Sequence, residues 1–132
     1  MNKITFCIPT KSNLRYLKQC LSSIRENSFY KDHDIIVYVD EDRDGTCDWL
    51  DSVKSTLNVE YFKNTSGVLT GIGKGYDLCI EKSKTDVFMI FHADMMLGKN
   101  ADVECLKHLS KKTVVCCKPD DPRIRKRNRG GL

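Results

Sequence analysis

The sequence predicts an α/β domain built on a mostly parallel sheet with helices on both faces. Three observations carry that expectation. Short apolar runs alternate with amphipathic stripes of helical length along most of the chain. The strand-like runs are nearly continuous in their apolar character, as strands covered on both faces are. Polar residues gather just after several of these runs, where ligands bind in open parallel sheets.

The elements follow in order. Ile4–Ile8 ("ITFCI") is a compact apolar run closed by Pro9 and reads as a buried strand. Leu14, Leu17, Leu21 and Ile24 then recur at spacings of three and four, a helical stripe that Ser12 or Asn13 is placed to cap. Asp34–Asp40 ("DIIVYVD") is β-branched and aromatic, a second buried strand. After the break at "DGT", Leu50, Val53 and Leu57 share one face of a helix, and Val59–Phe62 makes a short strand. "NTSGVLTGIGKG" is turn- and glycine-rich, and Gly75 is expected to open the helix "YDLCIEKS". "DVFMIFHA" is the longest strand candidate. A helix over "NADVECLKHLSKK" should turn Val103, Leu106 and Leu109 inward, and "TVVCC" reads as a last strand.

The 132 residues fit one domain with one core. Residues 1–117 form that domain in this reading, and residues 118–132 a basic tail expected to be disordered. The net charge of +4 belongs to the tail, which has six basic residues against two acidic ones, so the body has no bias toward nucleic acid. Any contact with nucleic acid would run through the tail. The chain lacks an apolar run long enough to span a bilayer, and its N-terminus does not resemble a signal peptide, so a cytoplasmic protein is expected. Seven scattered cysteines without CxxC or zinc spacing read as reduced thiols, with Cys7, Cys20, Cys79 and Cys105 at apolar positions. His33 and His108 read as surface residues and Trp49 as core.

Three constellations carry chemistry, each beside a plainer reading. Asp40, Glu41, Asp42 and Asp44 crowd a strand end. Asp44 and Glu41 read as a solvated loop, while Asp40, at the last strand position, stands open between structure and function. "GIGKG" fails both the dinucleotide and the Walker pattern, although glycines ahead of a helix can offer amides to an anion with Lys74 assisting. His92 and Asp94 end a buried strand: an imidazole and a carboxylate at the rim suit a divalent cation, and equally a strand cap followed by a turn.

Taken in order, "ITFCIPTKSNLRYLKQCLSSI", "IIVYVDEDRDGT", "GVLTGIGKGYDLCI" and "DVFMIFHADMML" resemble the nucleotide-sugar-dependent glycosyltransferases of family 2, which have the GT-A, Rossmann-like fold. The likeness covers about Ile4 to Leu97, the donor-binding half. It implies that Thr10 helps hold the nucleotide and that Asp40 accepts a hydrogen bond from the base. It implies also that Asp94 and His92, at the position of the family's DxD motif, hold Mn2+ or Mg2+. Gly75 matches the glycine of the family's helix start. The acidic loop is one residue shorter than usual, which keeps Asp42 beside Asp40 as a nucleotide-binding candidate. The family usually continues well past this length with an acceptor-binding half and its catalytic base, so a truncated form is expected, from truncation or a frameshift near Cys117. The implied function is transfer from a nucleotide-diphosphate sugar, a UDP-sugar first, to an unknown acceptor, with this short form inactive alone. Two alternatives stand beside it: a non-catalytic remnant or interaction module using the basic tail, and a nucleotidyltransferase of similar fold.

Overall fold

A computed structural model describes residues 2–117. The expected tail, residues 118–132, lies outside the described residues. The element order is β1 (Thr5–Lys11), α1 (Leu14–Asn27), β2 (Asp34–Glu41), α2 (Thr46–Leu57), β3 (Val59–Lys63), α3 (Ile72–Lys82), β4 (Phe88–Ile90) and α4 (Ala101–His108). The four strands form one parallel sheet in the order β3-β2-β1-β4.

The period-2 geometry of the strands sorts their side chains onto two faces. Ile4, Phe6 and Ile8 of the first strand segment, with Ile35, Val37 and Val39 of β2, pack against Leu17, Leu21 and Ile24 of α1 and Leu50 of α2. Cys7, Ile36 and Tyr38 point the other way, onto Cys79 of α3. Helices therefore cover both faces, and the larger core lies under α1 and α2.

Four local expectations change. Asn13 occupies the N-cap of α1 but makes no side-chain cap, and the Leu14 amide instead donates to Asp44 Oδ2 at 2.8 Å, across 30 residues of chain. Helix α3 opens at Ile72 rather than at Gly75, because Gly71, at φ +83°, supplies the left-handed backbone that begins it. The "DVFMIFHA" run yields only three strand residues. Thr5 N–H donates to Val87 and Phe91 N–H to Cys7 O, so the odd residues of β1 face β4. The next donor on that side would belong to Pro9, which has no N–H, and the ladder ends there. "TVVCC" forms no strand; Val114 is 88% exposed.

His33 is the largest departure. It is fully buried, not at the surface. Its Nδ1 accepts from Ile4 N–H at 3.2 Å, so the ring is the tautomer protonated on Nε2, and Nε2 donates to Asp102 Oδ2 at 2.9 Å. Asp102, the residue of α4 that is fully buried, also accepts from the Phe29 and Tyr30 amides at 2.9 and 3.1 Å. This pair fastens α4 to the amino end of the sheet. Val103, Leu106 and Leu109, expected inward, are only half-buried. No helix among the described residues is long and apolar enough to cross a membrane.

Candidate functional site

At the carboxyl edge of the sheet lies a cleft of about 390 Å3. Thr10 and Lys11 at the end of β1, Asp40 at the end of β2, Gly71 and Ile72 at the start of α3, and His92 and Asp94 after β4 line it. Residues as far apart as Thr10 and Asp94 thus share one wall, as the topology of a parallel sheet requires when reactive residues follow its strands.

Each is aimed by its local structure. The β1–β2 register slips between Thr10 and Lys11, a bulge of the kind that re-aims side chains at strand ends. Thr10 is buried, yet its Oγ1 has no hydrogen-bond partner among the described residues. A buried hydroxyl left so costs about 1–3 kcal/mol, a cost that a bound group in the cleft can offset.

Asp40 holds the glycine-rich loop. Its Oδ1 accepts from Thr70 N–H at 3.0 Å, Thr70 Oγ1 at 2.9 Å and Asn64 Nδ2 at 3.0 Å, and its Oδ2 from Gly71 N–H at 3.1 Å. Burial works to raise its pKa, but these donors outweigh it and hold the carboxyl below the usual aspartate range. Oδ2, with a single donor among the described residues, keeps spare acceptor capacity, and Asp40 lines the cleft. The loop's end at Gly71 and the start of α3 thereby form one wall, with the positive end of the helix dipole at the cleft.

Asp42 is placed differently. Its carboxylate accepts from the amides of Gly45, Thr46 and Cys47 at 3.0, 2.9 and 3.0 Å, capping α2. Those bonds hold it below the usual carboxylate range. It does not line the cleft, and neither do Lys74, exposed on α3, and Gly75. Gly75 is buried where α3 crosses β1; a Cβ there would stand 2.9 Å from Pro9 Cβ and 3.1 Å from Tyr38 Cδ1.

His92 to Met95 form a turn closed by Met95 N–H to His92 O at 3.1 Å. Helix α1 holds this turn from below. Cys20 Sγ reaches His92 O at 3.5 Å, Ser23 Oγ accepts from Leu97 N–H at 2.9 Å, and Asn27 Nδ2 donates to Leu97 O at 2.7 Å. Ala93 and Leu97 are buried, so the apolar run continues into the core while His92 and Asp94 turn outward. Tyr76 of α3 meets the His92 ring edge-on, centroids 6.1 Å apart. The Asp94 carboxylate and the His92 imidazole have no hydrogen-bond or ion-pair partner among the described residues. The charge of Asp94 is nonetheless felt inside: after burial, it is the second cause pushing the Cys20 thiol up to about 12.

Lys11, Asn13, Leu69 and Ile72 also line the cleft, and none of them was a site candidate from the sequence, where Asn13 stood only as a helix cap. Lys11 and Asn13 follow the "PT" near the end of β1, which was the available signal. Leu69, in the glycine-rich loop, and Ile72, the first residue of α3, are half-exposed apolar residues, and pattern says nothing about their direction.

Comparison with known proteins bears on the family and the fold. Residues 5–130 match the family model described as Glycosyl transferase family 2. Abequosyltransferase RfbV of Salmonella typhimurium is 27% identical over 99 residues, covering 74% of this chain and 30% of RfbV. S. aureus TarS 1–349 in complex with UDP superposes with a TM-score of 0.70 at 18% identity, over 80% of this chain and 31% of that one. Mannosyltransferase PcManGT from Pyrobaculum calidifontis, in complex with GDP-Man and Mn2+, gives a TM-score of 0.72 at 18% identity, over 86% and 33%. At such identities the two structures establish the fold, GT-A. The chain spans about a third of the length of these relatives.

Proposed function

The chain belongs to glycosyl transferase family 2, and from that premise we propose that its cleft binds the donor of a sugar-transfer reaction, a nucleotide-diphosphate sugar, with a divalent cation. The observation that carries this reading is the convergence of Thr10, Asp40, His92 and Asp94, from three strand ends, on one cleft. A UDP-sugar is the first candidate. The complexes of TarS with UDP and of PcManGT with GDP-Man and Mn2+ support a nucleotide-sugar donor.

The donor set fits a cation held in part by its ligand. Asp94 and His92 offer one carboxylate and one imidazole, and among the described residues no group of three His, Cys, Asp or Glu side chains gathers as a complete cage. Mn2+ or Mg2+ held there would complete its shell with diphosphate oxygens and water, as hard cations bound with phosphates do. When bound, the cation neutralises charge on the departing diphosphate.

The chain's own residues do the rest. Thr10 gives its unpartnered hydroxyl to the nucleotide. Asp40 accepts through Oδ2 from the base or ribose and at the same time fixes the Thr70–Gly71 backbone. Asp42 serves the site at one remove, by capping α2 and shaping the loop after β2. Lys74 and Gly75 are placed outside the cleft wall, Gly75 acting through its contact with Pro9, next to Thr10.

Asp40 and Asp94 are the two carboxylates of the cleft wall among the described residues, and this reading occupies both. Among the described residues no further carboxylate lines that wall to deprotonate an acceptor hydroxyl. The chain alone is proposed to bind donor and transfer little or no sugar to its unknown acceptor, in the cytoplasm, with residues 1–117 as the folded unit.

Thermal unfolding with UDP or GDP, with and without Mn2+, tests the reading. Ligand at a hundred times its Kd stabilises by about 2.7 kcal/mol. A nucleotide shift that requires the metal is expected. Equal stability with and without nucleotide and metal, at millimolar concentrations, would refute it.

A further inference from the structure

We propose that Cys105 and Cys117 are a thiol-oxidation site, closing to an internal disulfide that pins the segment after α4 back onto that helix. The Sγ atoms lie 3.0 Å apart, Cys105 half-buried on α4 and Cys117 exposed. The approach is built by the backbone. A turn at Ser110–Thr113, closed by Thr113 N–H to Ser110 O at 3.0 Å and Ser110 N–H to Thr113 Oγ1 at 2.7 Å, reverses the chain beyond α4. Lys112, at φ +70°, completes the reversal and sends Cys117 back along the helix.

Among the described residues no strand pairing holds this segment, Val114 lies in solvent, and the sulfur contact joins Cys117 to α4. A disulfide needs the sulfurs at about 2.05 Å, a shift that an exposed coil can supply. The other cysteines are placed otherwise. Cys7, Cys20 and Cys79 are buried in the core, Cys47 is half-buried on α2, and Cys116 is exposed next to Cys117; none of them has a sulfur–sulfur contact among the described residues.

The reaction balances with a small disulfide such as oxidised glutathione. The Cys117 thiolate attacks one glutathione sulfur, forming a mixed disulfide and releasing one glutathione thiolate. Cys105, after giving its proton to solvent, attacks Cys117 Sγ; the Sγ–Sγ bond forms and the second glutathione leaves. Two electrons pass from the cysteines to the glutathione pair. In the reduced chain burial first, then the contact with Cys117, pushes the Cys105 thiol up to about 12; the burial persists in the mixed disulfide, so the closing step is slow at neutral pH and quickens as pH rises.

The experiment treats the full reduced chain with oxidised glutathione at pH 8, then maps disulfides by peptide mass. The expected result is one bond, Cys105 to Cys117, with a loss of about 2 Da. Cys116→Ser should keep that bond, and Cys105→Ser should stop as a glutathione adduct on Cys117. The same treatment in urea should scatter the pairing. A Cys116–Cys117 or Cys105–Cys116 bond in the native chain, or an internal disulfide that forms only in urea, would overturn the proposal.

Discussion

His33 and Asp102 stand at the amino ends of the strands, His92 and Asp94 at the carboxyl ends. The chemical groups are the same, and their surroundings are opposite. In the first pair both side chains are fully buried, and the imidazole nitrogens and carboxylate oxygens all meet partners: Ile4, Phe29, Tyr30 and each other. In the second, both side chains face solvent at a cleft with no partner among the described residues, beside a buried threonine hydroxyl that also lacks one. The fold accounts completely for the first pair. It spends Cys20, Ser23 and Asn27 on holding the backbone of the second in place, without using the side chains it presents. Matched groups mark structure; held but unmatched groups mark a place kept for something else.

The sharpest break of this comparison is Asp102→Ala. Removing one partner of a buried hydrogen-bonded pair costs about 3–5 kcal/mol, against a total of about 5–15 for a domain of this kind. Urea denaturation should show the loss at pH 7. Acid should shrink it. Burial works to raise the Asp102 pKa, but the amides of Phe29 and Tyr30, the His33 ring and the Val103 amide hold it below the usual aspartate value. A group with a lowered folded-state pKa stabilises above its unfolded pKa, about 3.9, and that contribution is lost as pH falls through the folded value. The gap between wild type and variant should thus be widest at neutral pH, begin to narrow below about pH 4 and go on narrowing as pH falls through the lower folded value. A gap that stays constant across that range would mean the carboxylate's charge has no part in the staple.

Gly75→Ala is expected next in size. The new Cβ would sit 2.9 Å from Pro9 Cβ, where neither the ring nor the helix yields easily. Overpacking costs about 1–3 kcal/mol and a helical alanine returns up to about 1, leaving a net loss of roughly 1–2 kcal/mol. Because Pro9 precedes Thr10, nucleotide binding should weaken as well. A variant as stable as wild type would show that α3 can move off β1 freely.

Much of this was legible in the sequence, and the part that was not has a common cause. Periodicity located β1, β2 and the helices, and the topology of a parallel sheet then brought Thr10, Asp40 and Asp94 to one edge. Asp42 and Gly75 stood in the sequence as nucleotide-binding candidates, and only coordinates place the one on the α2 amides and the other in α3 where that helix crosses β1. His33 in a "KDHD" loop looks solvated because its partners are Ile4 and Asp102, at 29 and 69 residues' separation. Asp44 caps a helix that begins 30 residues earlier. Interactions of this kind leave no local pattern. The short β4 was readable in principle, since Pro9 removes the ladder's next donor, but only once the register was known.

Asp94→Asn should have the smallest effect on stability and the clearest on binding. The side chain is exposed and has no partner among the described residues, so unfolding should change within about 0.5 kcal/mol. Asparagine keeps the size and one acceptor oxygen but loses the charge that a hard cation requires. The part of the nucleotide-induced thermal shift that depends on Mn2+ should therefore vanish, while any metal-independent part, resting on Thr10 and Asp40, remains. The contrast with Asp102→Ala is the test of the comparison itself: one aspartate removed at great cost to the fold, the other at none. If Asp94→Asn unfolds like Asp102→Ala, the carboxylate has a structural partner in solution and the two ends of the sheet are alike. If it is stable and keeps the full metal-dependent shift, the cation is held elsewhere, and Asp94 is only the corner of a turn.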